Sequence, residues 1–392
     1  MPGFSRVVTD AEEAMSIKYN MMVYDLQRQG VDILVMSLGE AFFDIPLLPM
    51  DELPYPAINH YSSSRGIPEL RQRLSTYFHD EYGVDFDPDS EILITAGSKA
   101  AIHMTLMSIL DPGDEVLYSE PGWVSYPEQI KLCYGVPVSL PFDHTVADYE
   151  HYITERTRAI IVTSPHNPRG LVLSEVDLRQ LVAMAKKHDL WLLSDEAYSD
   201  FLLDGSFVSA GRLDPDKERV VIFNSMSKNF GISGWRVGYV IANEQLINRV
   251  LKVNQHLITC PATILEYYLA RYFDTLLGVT KPQIREVVKR REHLAGYMRE
   301  IGLSALPGGA TFYFFVSLGA SQLRSEEFAT RLLYEQHISV VPGVGYGPSC
   351  DSFIRVSIGT ASLEENMRGL AAIRALIDDT SFSPRVSASD GR

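Results

Sequence analysis

The chain predicts an α/β fold, with a large domain on a mostly parallel sheet and a second, smaller α+β domain. Three observations carry that expectation. From about residue 90 to 245, short runs that are apolar throughout alternate with stretches of helical period, the pattern of a parallel sheet covered on both faces. From 281 to 378 the pattern changes to three helical periods and two short strands, which implies a separate small sheet. At 392 residues, the chain exceeds the ~250–300 residues at which a single core stops growing.

In chain order, the first 35 residues read as a helical arm packed on the smaller domain. Strands are expected at 91–95, 115–118, 158–163, 191–194, 219–223 and 237–241. The first is followed by a helix over 98–110 that stops at Asp111-Pro112-Gly113-Asp114, a cluster of turn formers. A helix opens at Ser174, and Asp177 three residues on completes a near relative of the capping box. In the second domain the periods place helices at 283–301, 326–337 and 363–377, with strands at 311–316 and 352–358. The expected division is an arm and small-domain segment (1–45), a large domain (46–280), a small domain (281–379) and a disordered tail (380–392).

Composition narrows the function. Lys plus Arg number 35 against 50 Asp plus Glu, a net charge of −15, which disfavours nucleic acid and anionic lipid as partners. The basic run Lys289-Arg290-Arg291 sits among Glu286 and Glu292 and reads as a solvated helix face. Three scattered cysteines, Cys133, Cys260 and Cys350, fit a reducing compartment. The first 13 residues lack a signal-peptide pattern, and no run of 18 apolar residues occurs, so the expectation is a cytoplasmic protein that does not span a membrane. No P-loop or common zinc-binding motif is present, so no metal is expected. Gly343-Val344-Gly345-Tyr346-Gly347 lies outside any βαβ unit and reads as a turn. Ser225-Met226-Ser227-Lys228 lacks the companions of the penicillin-binding signature.

In parallel sheets, ligands sit beyond the carboxyl ends of the strands. Four polar clusters fall there: Ala96-Gly97-Ser98-Lys99, Ser164-Pro165-His166-Asn167-Pro168, Asp195-Glu196-Ala197-Tyr198, and residues 224–228. Lys228, just past a buried strand, is placed to lose its charge and act as an amine nucleophile. Ser225 and Arg236 flank it with phosphate-binding chemistry. Asp195 ends a buried strand, where an unpaired carboxylate costs several kcal/mol, so a cation should face it. Ser98 and Lys99 open a helix whose free N–H groups favour an anion. Tyr198 adds a phenol, Asn167 a polar side chain in a proline-fixed turn, and Trp123 a flat stacking face. A flat, phosphorylated, cationic ring bearing an aldehyde satisfies all of these, a description that fits pyridoxal phosphate.

The sequence closely resembles the fold-type I, class I/II aminotransferases, the aspartate aminotransferase family. The resemblance runs from about Ser37 to Ile377. It is carried by residues 61–71, 95–100, 111–115, 164–168, 194–198, 225–228 with 234–238, and 353–357. It implies a seven-stranded, mostly parallel sheet in the large domain and a homodimer with shared active sites. It also implies an enzyme that moves an amino group between an α-amino acid and a 2-oxo acid in a ping-pong reaction. On the matched positions, Lys228 carries the cofactor as a Schiff base and moves the proton. Asp195 keeps the pyridine nitrogen protonated, Tyr198 and Asn167 bond the ring oxygen, and Trp123 stacks on the ring. Ser98, Lys99 (through its backbone), Ser225 and Arg236 form the phosphate cup, which Tyr61 reaches from the neighbouring subunit. Arg355 grips the substrate carboxylate, aided by Gly39; Asn167 and Trp123 also border the substrate.

The same fold hosts lyases, cyclases, decarboxylases and oxidases acting on amino acids, the alternative outcome. Three segments depart from the family's usual pattern: Gly39-Glu40-Ala41-Phe42-Phe43, His166, and residues 254–261. Two readings of the side-chain pocket stand. Lys99 extends a cation to a distal carboxylate, or Phe42, Phe43 and Ile45 shape an apolar pocket for bulky side chains.

Overall fold

The computed structural model describes residues 2–203 and 207–379; the expected tail, 380–392, lies outside the described residues. Seven strands build the larger sheet: β1 (Ile92–Thr95), β2 (Glu115–Ser119), β3 (Val136–Leu140), β4 (Thr157–Thr163), β5 (Trp191–Asp195), β6 (Val220–Ser225) and β7 (Gly238–Ile241). Their order is β1-β7-β6-β5-β4-β2-β3, and only β7 runs against its neighbours. Six of the seven coincide with the expected apolar runs. The periodicity does not single out β3, an edge strand whose Pro137 lacks an N–H and most of whose residues are at least partly exposed. Proline is tolerated at such an edge.

The sheet explains its own sequence. In β4, Ile160 and Val162 face one core while Ala159 and Ile161 face the other; in β6, Val220 and Ile222 oppose Val221 and Phe223. Side chains alternate across a strand, and both faces are covered, so the central positions 159–162 and 220–223 are all apolar. Helices Pro68–Tyr82 and Glu175–Lys187 cover the first face, and helices Ser98–Ile109 and Glu244–Leu257 the second. Ser174 caps Glu175–Lys187 in a full capping box with Asp177.

The rest of the chain forms a second core around a three-stranded antiparallel sheet of β8 (Tyr313–Ser317), β9 (Val341–Pro342) and β10 (Phe353–Ser357), in the order β9-β10-β8. Helices Ser325–Gln336 and Leu363–Asp378 pack on it. The helix Met15–Arg28 docks here. The Tyr19 hydroxyl lies 3.0 Å from the Glu326 carbonyl, and Val23 packs with Leu333. Leu34–Val35 pairs in parallel with Ile338–Ser339.

Two expectations change. The helix expected from 283 begins at Thr263 and runs for 38 residues to Glu300, bent at Tyr272, so a division at residue 280 falls inside it. At about 57 Å, it joins both cores. The run 289–291 is not a single solvated face. Lys289 pairs with Glu286 on the surface, but Arg291 is buried, with Nε donating to the Tyr313 carbonyl at 3.0 Å. Burial pushes its pKa down to about 10. A charge triplet on a helix spans most of one turn, so its members point to different sides. The segment Gly343–Tyr346 is a 3₁₀ turn.

Candidate active site

A cavity of about 410 Å³ opens at the carboxyl ends of the larger sheet and is closed by β8, β10 and the arm. Of the residues singled out by sequence, Lys228, Asp195, Tyr198, Ser98, Lys99, Trp123, Asn167, Ser225, Arg236, Arg355 and Gly39 all line it. Asp195 is the last residue of β5 and Ser225 the last of β6; the short helix Met226–Asn229 then presents Lys228. Arg355 comes from the middle of β10. Tyr61 does not line the cavity; its side chain is 86% exposed. Its segment is nevertheless fixed, because buried Glu266 accepts from the Ser62 hydroxyl and the Ile67 N–H, and Asn254 donates to the Ser64 carbonyl.

Lys228 Nζ donates to the Gly39 carbonyl. Desolvation pushes its pKa down to about 8; Arg355 and Arg236 add to the effect, while Glu40 and Asp195 oppose it. Burial also raises the Asp195 carboxyl above the usual range, against the Tyr126 hydroxyl at 2.7 Å, the Ala197 N–H and the charge of Lys228. Arg355 is 3% exposed, with Nη2 donating to the Ser37 carbonyl and its guanidinium over the rings of Tyr313 (4.6 Å) and Tyr346 (5.7 Å).

An anion cup forms where helix Ser98–Ile109 starts. Gly97 (φ 85°) leaves no room for a Cβ beside the Arg236 guanidinium, so the arginine lies directly against the helix start. Arg236 itself holds a left-handed backbone (φ 56°) and is tied by Nη1 to the Ser233 carbonyl and the Ser227 hydroxyl. A non-glycine residue in that region is strained, and strain of this kind concentrates at functional sites.

The residues present fit pyridoxal phosphate. Arg355 Nε, a donor, is buried without a hydrogen-bond partner among the described residues and is left for an anionic group. No ion pair reaches Asp195, Lys228 or Arg355 among the described residues, although all three line one cavity. The cation that Asp195 calls for is therefore not supplied by a side chain, and a protonated pyridine nitrogen would serve. Sequence reading missed Tyr126, which also bonds Thr163 at 2.7 Å, and Tyr313, Ser37 and Asn20. The aromatic pair Phe42 and Phe43 lies outside this cavity: Phe42 is 62% exposed, and Phe43 stacks on Phe201. Ile45 packs on the large core. Lys99 does line the cavity, its ammonium 5.0 Å from the Trp123 centroid. His166 is buried behind Asn167, and burial pushes its pKa down to about 3, so it is neutral at ordinary pH.

Comparison with known proteins agrees with this geometry. Residues 50–373 match the family described as aminotransferase class I and II. The aspartate/prephenate aminotransferase of Thermus thermophilus is 34% identical over 389 residues, covering 94% of this chain and 97% of that one. Aromatic-amino-acid aminotransferase 2 of Thermococcus litoralis is 34% identical over 360 residues, covering 88% and 92%. Among solved structures, the Thermus thermophilus aspartate aminotransferase with maleate superimposes with a TM-score of 0.87 at 30% identity, covering 96% of this chain and all of that one. The chain belongs to the class I and II aminotransferases and is a pyridoxal phosphate-dependent enzyme that transfers an amino group between an amino acid and a 2-oxo acid.

Proposed function

We propose that Lys228 is the amine that joins pyridoxal phosphate and then serves as the base and acid for the substrate's α-proton. The observation that carries this is the convergence of Lys228, Asp195 and Arg355 on one cavity with no ion pair among them. Buried charges left unpaired by the protein are costly, and a ligand that pairs them recovers that cost. When bound, the cofactor supplies an aldehyde that condenses with amines and a ring that accepts the electron pair left at Cα.

The remaining roles belong to the same reading. Asp195 would pair with the pyridine nitrogen, and Tyr126 and Ala197 hold the carboxylate in place. Tyr198 and Asn167 would donate to the ring oxygen, and Trp123 would stack on the ring. Ser98, the Lys99 backbone, Ser225 and Arg236 hold the phosphate. Arg355 takes the substrate α-carboxylate in a bidentate grip that lysine cannot reproduce, beside Gly39. With Nζ near pKa 8, Lys228 exchanges a proton at Cα without a large energetic penalty in either direction.

A homodimer is part of the same proposal. Tyr61 is exposed on a pinned segment, and Leu47 (83%) and Tyr55 (78%) are exposed nearby in sequence. A tyrosine held out from its own cavity suits a contact with the phosphate of a second copy. The organisation into 1–45, 46–280 and 281–379, with helix Thr263–Glu300 as a shared strut, belongs to the proposal too. So does a cytoplasmic location, supported by three free cysteines and by the lack of a membrane-length apolar helix among the described residues.

For the substrate, we favour aspartate or glutamate as one partner, because the Lys99 ammonium lines the cavity while Phe42 and Phe43 do not. Lys99→Ala should raise KM for dicarboxylic substrates and leave that for phenylalanine unchanged; an unchanged dicarboxylate KM rejects this choice. The central assignment is tested by borohydride reduction of the yellow holoenzyme and peptide mapping. A pyridoxyl group on Lys228 is expected, whereas a colourless protein or a label on another lysine overturns the reading.

A further inference from the structure

Tyr313 is fully buried, lines the cavity from β8, and joins its two ends. Its hydroxyl lies 2.8 Å from the Tyr198 hydroxyl, on the cofactor side. Its ring face carries the Arg355 guanidinium at 4.6 Å, on the substrate side. The Gly39 backbone hems in the same hydroxyl, since a Cβ there would stand 3.2 Å from it. Nothing else in the protein is hydrogen-bonded to that hydroxyl among the described residues.

A phenol has one proton to donate. If Tyr198 commits its proton to the cofactor's ring oxygen, only its lone pairs remain for Tyr313, and Tyr313 must be the donor of the pair. We propose that Tyr313 is a positioning residue that donates to Tyr198 and so strengthens the Tyr198 hydrogen bond to the ring oxygen, with the Arg355 cation on its ring sharpening it as a donor. This rests on the roles assigned above to Lys228 and Tyr198.

The physics is that of a short chain of hydrogen bonds in a water-poor pocket, where each bond polarises the next. Burial makes both phenols harder to ionise, and Arg355 acts in the opposite sense on each. The other charges that face the pair are Glu40 on the Tyr313 side and Asp195 on the Tyr198 side. Lys228 stands 5.6 Å from the Tyr198 ring centroid. None of these is a hydrogen-bond partner of Tyr313, so the donation to Tyr198 is the one interaction that loss of its hydroxyl removes.

The test is a spectrophotometric pH titration of the substrate-free holoenzyme's yellow colour. A better donor to the ring oxygen favours its anionic form and makes the adjacent linkage to Lys228 release its proton at lower pH. Tyr313→Phe should therefore raise the midpoint by about half a pH unit, part of one hydrogen bond's worth. Tyr198→Phe should raise it further, and adding Tyr313→Phe to Tyr198→Phe should then move it no more. Substitution of Tyr313 by 3-fluorotyrosine, a more acidic phenol of nearly the same shape, should lower the midpoint and covers the case in which the phenylalanine variant does not fold. An unchanged midpoint in a well-folded Tyr313→Phe holoenzyme, or an equal shift with and without the Tyr198 hydroxyl, overturns the proposal. A wild-type protein that takes no colour defeats the cofactor assignment instead, so the two failures are distinct.

Discussion

The two sides of the cavity are built differently. On the cofactor side, Asp195 and Ser225 end strands of one sheet, Asn167 follows a third, and Ser98 opens the helix after a fourth. Each follows a strand buried on both faces, so its position is fixed by the packing on the two sides of a single sheet. The substrate side is assembled from separate segments. Arg355 of β10 reaches Ser37 across 318 residues of chain, and Lys228 reaches Gly39 across 189. The cofactor side is thus preorganised by the sheet, while the substrate side exists only when the arm is docked. The cofactor side should fail all at once when one group is lost, and the substrate side should fail by degrees.

The most severe break is Lys228→Ala, which removes both the attachment point and the proton carrier. Its kcat should fall by at least about 10⁴-fold, measured as single-turnover conversion of bound amino acid to oxo acid. Asp195→Asn keeps the shape and the contact with Tyr126 but removes the charge. A loss of about 10²–10³-fold in kcat is expected, the scale of removing one preorganised electrostatic group; a loss under tenfold would mean that the carboxylate does not face the ring nitrogen. On the other side, Arg355→Lys keeps the charge and loses the fork. It should cost roughly 10–100-fold in kcat/KM, mostly in KM, and a kcat effect as large as that of Asp195→Asn would erase the contrast between the two sides.

A pH experiment probes the cofactor side without mutation. Burial disfavours the Lys228 ammonium, so its pKa lies below the ordinary lysine value, at about 8. Only the free amine captures pyridoxal phosphate. The capture rate of the apoprotein should rise about tenfold per pH unit below that midpoint and level off above it. A rate that keeps climbing to the ordinary lysine range, roughly 10.4, would place Lys228 in a far wetter site than the cavity provides.

The same contrast decides what was legible in sequence. Lys228, Asp195, Asn167 and Ser98 each interrupt or follow an apolar run at a strand end, so a polar residue there stands out. Tyr313 sits inside Tyr313-Phe314-Phe315, where an aromatic reads as core. Its hydroxyl partner Tyr198 is 115 residues away, and no local pattern reports such a pairing. Tyr126 hides in the same way, at the start of a seven-residue helix. Ser37 acts on Arg355 through its backbone carbonyl, which carries no side-chain signature. Phe42 and Phe43 follow Gly39 closely enough to suggest a pocket wall, yet Ala41 is buried in the second core, Phe42 is exposed, and Phe43 packs beside Gly231 and Phe201.

The smallest effect is the most informative about the arm. Asn20 lines the cavity from helix Met15–Arg28, and its Oδ1 accepts from the Ser37 hydroxyl at 2.9 Å. Ser37 in turn offers its carbonyl to Arg355. The Ser37 hydroxyl keeps a second partner, the Ser339 hydroxyl at 3.0 Å, so Asn20→Ala loosens the residue without leaving a buried donor orphaned. The cost should be about 1 kcal/mol or less, seen as a ~3–5-fold rise in KM for the amino acid with kcat nearly unchanged. Combined with Arg355→Lys, the two losses should fall short of their product, because both act on one contact. Multiplicative losses would mean that the arm contributes to binding independently of Arg355, and the substrate side would then be two contacts rather than one chain running from helix to guanidinium.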